Sequence, residues 1–208
     1  MANGTKVIEI PEVLTDWKRL WVTISGVTPL MMHNPAGMAK LEEKKKSLGG
    51  KKYIPTPEEE SEWGTYRLEK GELYVPSDAV RQSAVNGASG MKIGKLFLTR
   101  LLSAGLILDR EWFSLERVEQ PLKQPDRIDV RGVMIQRARV TRARPVIDLP
   151  WQVTAEFLTD VALFRGDAIG LVVQAIQQAG QTVGLLEYRP QKGGSFGRYE
   201  VLSASVEE

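Results

Sequence analysis

The chain of 208 residues contains no cysteine and one histidine, His33. The first absence excludes a disulfide framework and every thiolate metal site, and it fits a reducing, cytoplasmic setting. The second excludes a histidine-rich metal centre and any mechanism that needs two histidines. No apolar run approaches the roughly 20 residues needed to cross a bilayer, so no membrane partner is expected. The N-terminal stretch has acids at Glu9 and Glu12 and no long apolar core, which predicts that it is not a signal peptide. Ser77, Ser83 and Ser195 lack a nucleophile elbow, because no Gly-x-Ser-x-Gly occurs. None of these patterns calls for a cofactor.

What is present is an ordinary globular composition, 42% apolar, with a net charge of only +2. The charges are segregated, however. Acids gather in Glu58-Glu59-Glu60-Ser61-Glu62 and at Glu207-Glu208, while Arg131 to Arg144 holds five arginines and no acid. Local potential rather than net charge attracts a polyanion, so the basic stretch outweighs the sum.

Alternation of Leu20, Val22 and Ile24 predicts a half-buried strand over Arg19–Ser25, and Trp151, Val153, Ala155 and Phe157 predict another. Residues 38–65 combine Lys44-Lys45-Lys46, Gly49-Gly50, two prolines and the acid run, and read as a flexible insertion or long loop. A short strand over Glu72–Val75 leads into a helix from Pro76 to about Ala88, capped by Ser77 or Asp78. Leu96–Leu108 is a second helix or a buried strand, Trp112–Val118 a strand, and Arg131–Val146 an extended strand or long hairpin within a candidate basic projection over 120–150. A helix over about Asp167–Ala179, with Gly180 as its C-cap, precedes a glycine-rich loop and a last strand over Tyr199–Leu202. This order suggests an α+β domain with a split β-α-β, ferredoxin-like (RRM-like) antiparallel sheet and helices on one face.

Three segments carry candidate chemistry. In a regular strand Arg137 and Arg139 share one face and Arg142 and Arg144 the other; a break near Thr141 would bring all four together. Planar guanidinium forks suit phosphate oxygens, and the alternative is a solvated or ion-paired sheet face. The loop Tyr188–Arg198 offers Arg189, Lys192 and Arg198 as charges and Gly193, Gly194 and Gly197 for close backbone approach. Its Tyr188 and Phe196 are candidates for stacking on bases. Gly90–Lys95 adds Lys92 and Lys95, and Arg81 lies on the preceding helix. An enzymatic alternative is a metal-dependent ribonuclease using Asp126 or Asp129. A third is an assembly protein whose basic strand meets an acidic partner.

Three motifs together resemble the RAMP superfamily, the backbone subunits of CRISPR effector complexes and their relatives. Val22-Thr23-Ile24-Ser25-Gly26-Val27-Thr28-Pro29-Leu30 is similar to the family's first strand and proline-leucine turn. Leu73 through Arg81 is similar to its strand and proline-initiated helix, and Val183 through Tyr199 to its C-terminal glycine-rich loop. The resemblance implies a modified RRM-like palm, a projecting hairpin or thumb, and head-to-tail assembly of copies along a guide RNA, with other effector subunits as further partners. Some members of the family cut RNA with a loop aspartate, but no motif here identifies such a residue, and a non-catalytic subunit is expected. A phage or mobile-element relative that coats single-stranded DNA is the alternative within the class.

Overall fold

The structure, a computed structural model, describes residues 17–49, 53–135, 138–160 and 168–207. Strand β1 (Trp17–Gly26) buries Leu20, Val22 and Ile24 to within 1% of full burial, and β2 (Leu30–Met31) follows the Pro29 turn. The stretch expected as a long loop instead carries two helices, α1 (Ala36–Ser47) and α2 (Pro57–Gly64). Local chemistry accounts for α2. The Thr56 hydroxyl accepts from the Glu59 N–H, the Glu59 carboxylate accepts from the Thr56 N–H, and Pro57 opens the first turn. In α1, Lys44, Lys45 and Lys46 lie in the last turn, where the helix dipole favours cations, and Leu41 is the buried anchor.

Strand β3 (Tyr74–Pro76) runs directly into α3 (Ser77–Gly87). The expected side-chain cap is not formed; Ser77 is buried and donates to the Arg110 carbonyl at 2.6 Å. A tight hairpin of β4 (Lys92–Ile93) and β5 (Leu96–Phe97) leads to α4 (Leu98–Gly105), so helix and strand share the apolar run. Then come β6 (Trp112–Arg117), β7 (Gln120–Pro121) and the long hairpin of β8 (Arg127–Ile135) and β9 (Ala138–Ile147). Strand β10 (Gln152–Asp160) is followed by α5 (Ala168–Thr182) and β11 (Tyr199–Val206). Helix α5 continues through Gly180 rather than stopping there. A Cβ at that position would collide with the Tyr199 carbonyl, so Gly180 serves helix-to-strand contact. The chain turns instead at Gly184 (φ +73°), whose N–H donates to the Ala179 carbonyl at 2.8 Å.

The main sheet has the order β11-β1-β10-β6-β3, with β7 beside β6, and its strand pairs are antiparallel. Val153, Ala155 and Phe157 of β10 join Leu20, Val22 and Ile24 of β1 in one core with Val80 and Ala84 of α3, Leu102 of α4, and Val172 and Ile176 of α5. Gly87 lets α3 and α5 cross closely, since a Cβ there would meet the Ala175 carbonyl and Ala179. A second sheet, β2-β9-β8, carries the long hairpin, and α2 lies against β9. No helix among the described residues is long and apolar enough to cross a membrane.

Candidate nucleic-acid interface

A cleft of about 370 Å³ opens between α3 and the loop that follows α5. That volume lies in the range of small-molecule sites. Its walls come from four parts of the chain: His33 and Pro35 after β2, Tyr66 before β3, Pro76 to Asn86 along α3, and Val183 to Arg189. Ser83 fastens two of these walls, donating to the Gly184 carbonyl at 3.0 Å and bonding the Tyr199 hydroxyl at 2.9 Å, both out of water. The Tyr66 hydroxyl donates to the His33 carbonyl at 3.1 Å. Burial holds the His33 imidazole below its ordinary pKa, so it is neutral at physiological pH. Glu187 opposes that shift, and the Arg144 and Arg142 cations reinforce it.

The glycine-rich loop is fixed by backbone bonds. The Leu185 N–H donates to the Gly197 carbonyl at 2.9 Å, and the Gly197 N–H to the Pro29 carbonyl at 2.8 Å. Leu186 (φ +56°) and Tyr188 (φ +52°) are held in the left-handed region. That conformation costs of order 1–3 kcal/mol per residue and persists only where the surroundings impose it. Gly194 and Gly197 are needed by the fold itself, because a Cβ would strike the Tyr188 carbonyl in one case and the Leu185 carbonyl in the other. Gly193 differs. At φ +77° it closes the 3-10 turn Pro190–Lys192, where its N–H donates to the Pro190 carbonyl at 2.9 Å, and a Cβ there would meet nothing within 4 Å. Phe196, expected as a stacking platform, is only 9% exposed and packs with Met31 and Val146. Tyr188 stays 41% exposed and meets the Phe196 ring edge-on.

Strand β9 remains regular through Thr141, in unbroken register with β8, so Arg142 and Arg144 share a face and Arg139 takes the other. Arg137 lies outside the described residues. The acids that the local sequence lacks arrive from elsewhere. Glu60 of α2 accepts from Arg142 at 2.9 Å and from the Ala143 N–H at 2.9 Å. Glu187 lies 3.9 Å from Arg144, whose buried Nε has no hydrogen-bond partner among the described residues. Arg131 pairs with Asp129 and sits 4.5 Å over the Tyr188 ring. Asp126 accepts from Arg117 at 3.0 and 2.8 Å. The arginines beside Asp126 and Asp129 hold both carboxyls below their usual range.

The expected cations therefore divide. Arg81 donates to the Leu106 and Ser103 carbonyls at 3.0 and 2.9 Å, closing the end of α4. Arg189 is tied to the Leu186 carbonyl at 2.8 Å, and Arg198 to the Gln181 carbonyl. With Arg142 and Arg144, these side chains hold elements together. Lys92, Lys95, Arg139 and Lys192 are exposed and form no ion pair among the described residues. The cleft and the partners Glu60 and Glu187 have no local sequence signal, since all arise from contacts between remote segments.

No family model matches the chain, and no curated protein matches it in sequence.

Proposed function

We propose that the protein is a non-catalytic subunit of the RAMP type that binds single-stranded nucleic acid, RNA in the first instance, and assembles head-to-tail on it. The observation that carries this reading is a cleft lined by two of the resembling segments and by His33 and Pro35, which follow the third, with its Glu187 3.9 Å from Arg144 of the long hairpin. The strand order supports it. Numbered among themselves, β11, β1, β10 and β6 run in the order 4-1-3-2 within the sheet that also holds β3, and in this reading they are a ferredoxin-like palm with α3 and α5 as its crossovers. In this reading β8 and β9 are the thumb. Phosphates meet Lys92, Lys95, Arg139 and Lys192, while Arg81, Arg142, Arg144, Arg189 and Arg198 keep the platform in shape. The strand is held by its backbone, so binding is largely independent of sequence and falls as salt rises.

The ribonuclease alternative would require Asp126 and Asp129 to release the arginines that engage them. The test is fluorescence anisotropy with labelled single-stranded RNA, single-stranded DNA and duplex, across a salt series, with light scattering in parallel. The proposal expects single strands to bind with a steep negative salt slope and to drive assembly. Equal weak binding to all three at low salt, or divalent-dependent cleavage lost in Asp129→Ala, would overturn it.

A further inference from the structure

The hairpin of β4 and β5 has features that phosphate binding alone does not explain. Phe97 and Leu96, consecutive on β5, are 54% and 52% exposed. Phe97 stands opposite Lys92 in the ladder, and the Lys92 ammonium lies 4.5 Å from the ring centroid. The two-residue turn, Gly94-Lys95, uses the positive φ of Gly94 (+58°) to put Lys95 at the tip. Arg100 follows in the first turn of α4 and is also exposed. No acid occurs between Asp78 and Asp109, and Lys92, Lys95 and Arg100 form no ion pair among the described residues.

The hairpin is anchored at its base: the Leu98 N–H donates to the Met91 carbonyl at 2.9 Å, and Met91 and Ile93 pack on the main core. The aromatic ring is therefore presented to solvent on a fixed support, with three cations close to it in the chain. An exposed apolar ring costs solvation free energy that burial would recover. Its surroundings select a flat, polarisable partner that carries negative charge close by.

We propose that the β4–β5 hairpin is a stacking finger that holds one unstacked base of a bound single strand on Phe97, with Lys92, Lys95 and Arg100 on the flanking phosphates. This rests on the single-strand reading above and adds a base contact to it. Stacking on an aromatic side chain tolerates any base, because every base has a π face, so the finger adds affinity without sequence preference.

The experiment compares the wild-type chain with Phe97→Ala, Phe97→Tyr and Lys92→Gln. Each is titrated with a labelled single strand and with the same backbone made abasic throughout, over a salt series. Phe97→Ala is expected to bind the normal strand roughly 5- to 150-fold more weakly, to bind the abasic strand as wild type does, and to keep the wild-type salt slope. Phe97→Tyr is expected to retain the affinity, and Lys92→Gln to lower the slope magnitude by about 0.7. Equal behaviour of wild type and Phe97→Ala on the normal strand would overturn the finger while leaving single-strand binding intact. Failure of wild type to bind either strand would overturn the functional reading and the finger with it. Phe97-dependent binding to anionic lipid vesicles, with no effect on strands, would also overturn it.

Discussion

Arg139 and Arg142 sit three residues apart on one strand, and the structure gives them opposite jobs. Replacing Arg142 with glutamine removes a guanidinium 2.9 Å from Glu60, in a pair whose side chains are 20% and 18% exposed. Glu60 would keep the Ala143 N–H but lose its counter-charge. A hydrogen bond to a charged group is worth about 1.5–3 kcal/mol net, so Arg142→Gln should lower unfolding free energy by about that amount. Arg139 is exposed and pairs with no acid among the described residues, so Arg139→Gln should stay within about 0.5 kcal/mol of wild type. Binding should move the other way. Each phosphate contact on a single strand contributes about 0.7 to the slope of log K against log salt, and Arg139→Gln should lose one such increment. Urea unfolding and anisotropy titrations over a salt series read the two effects. An Arg142 variant as stable as wild type, or an Arg139 variant with an unchanged salt slope, would refute the division of these arginines.

Gly87→Ala should lose about 1–3 kcal/mol in chemical denaturation, despite alanine's better helix propensity, because the added methyl meets α5; a stabilised variant would contradict that crossing. The lone imidazole of His33 should titrate below its ordinary value in an NMR pH series. Because the unfolded chain protonates first, this group makes stability fall as pH drops from about 6.5 toward the lower folded value. A titration midpoint at or above about 6.5 would remove the burial argument. Phe196→Ala should cost about 3–5 kcal/mol of stability, as for a core aromatic; a stable variant that merely loses strand affinity would restore Phe196 as a stacking residue.

Much of the main sheet is legible in the sequence because its strands bury one face. Leu20, Val22 and Ile24, and Val153, Ala155 and Phe157, alternate in the chain and lie together in the core. The region over 38–65 misleads because its lysines, glutamates and glycines dominate the composition, although the Thr56–Glu59 capping box is present in the sequence. Gly180 looks like a helix stop because a glycine's role in close packing has no local signature; only β11 lying over it tells the two apart. The arginines of β9 look free for the same reason. Their acids, Glu60 and Glu187, are distant in sequence and adjacent only after folding. The exposed Phe97 lies within an apolar run that reads as core throughout, and the hairpin turn at Gly94 is what lifts it out.

The most direct check of the functional reading is the nucleic acid content and particle mass of the purified protein, before and after nuclease treatment and a high-salt wash. Single-stranded nucleic acid should co-purify in a large particle that falls to small units on digestion, and its sugar would identify RNA or DNA as the ligand. A nucleic-acid-free monomer that ignores labelled single strands at low salt would contradict the reading, and Lys92, Lys95, Arg139 and Lys192 would then belong to a protein interface.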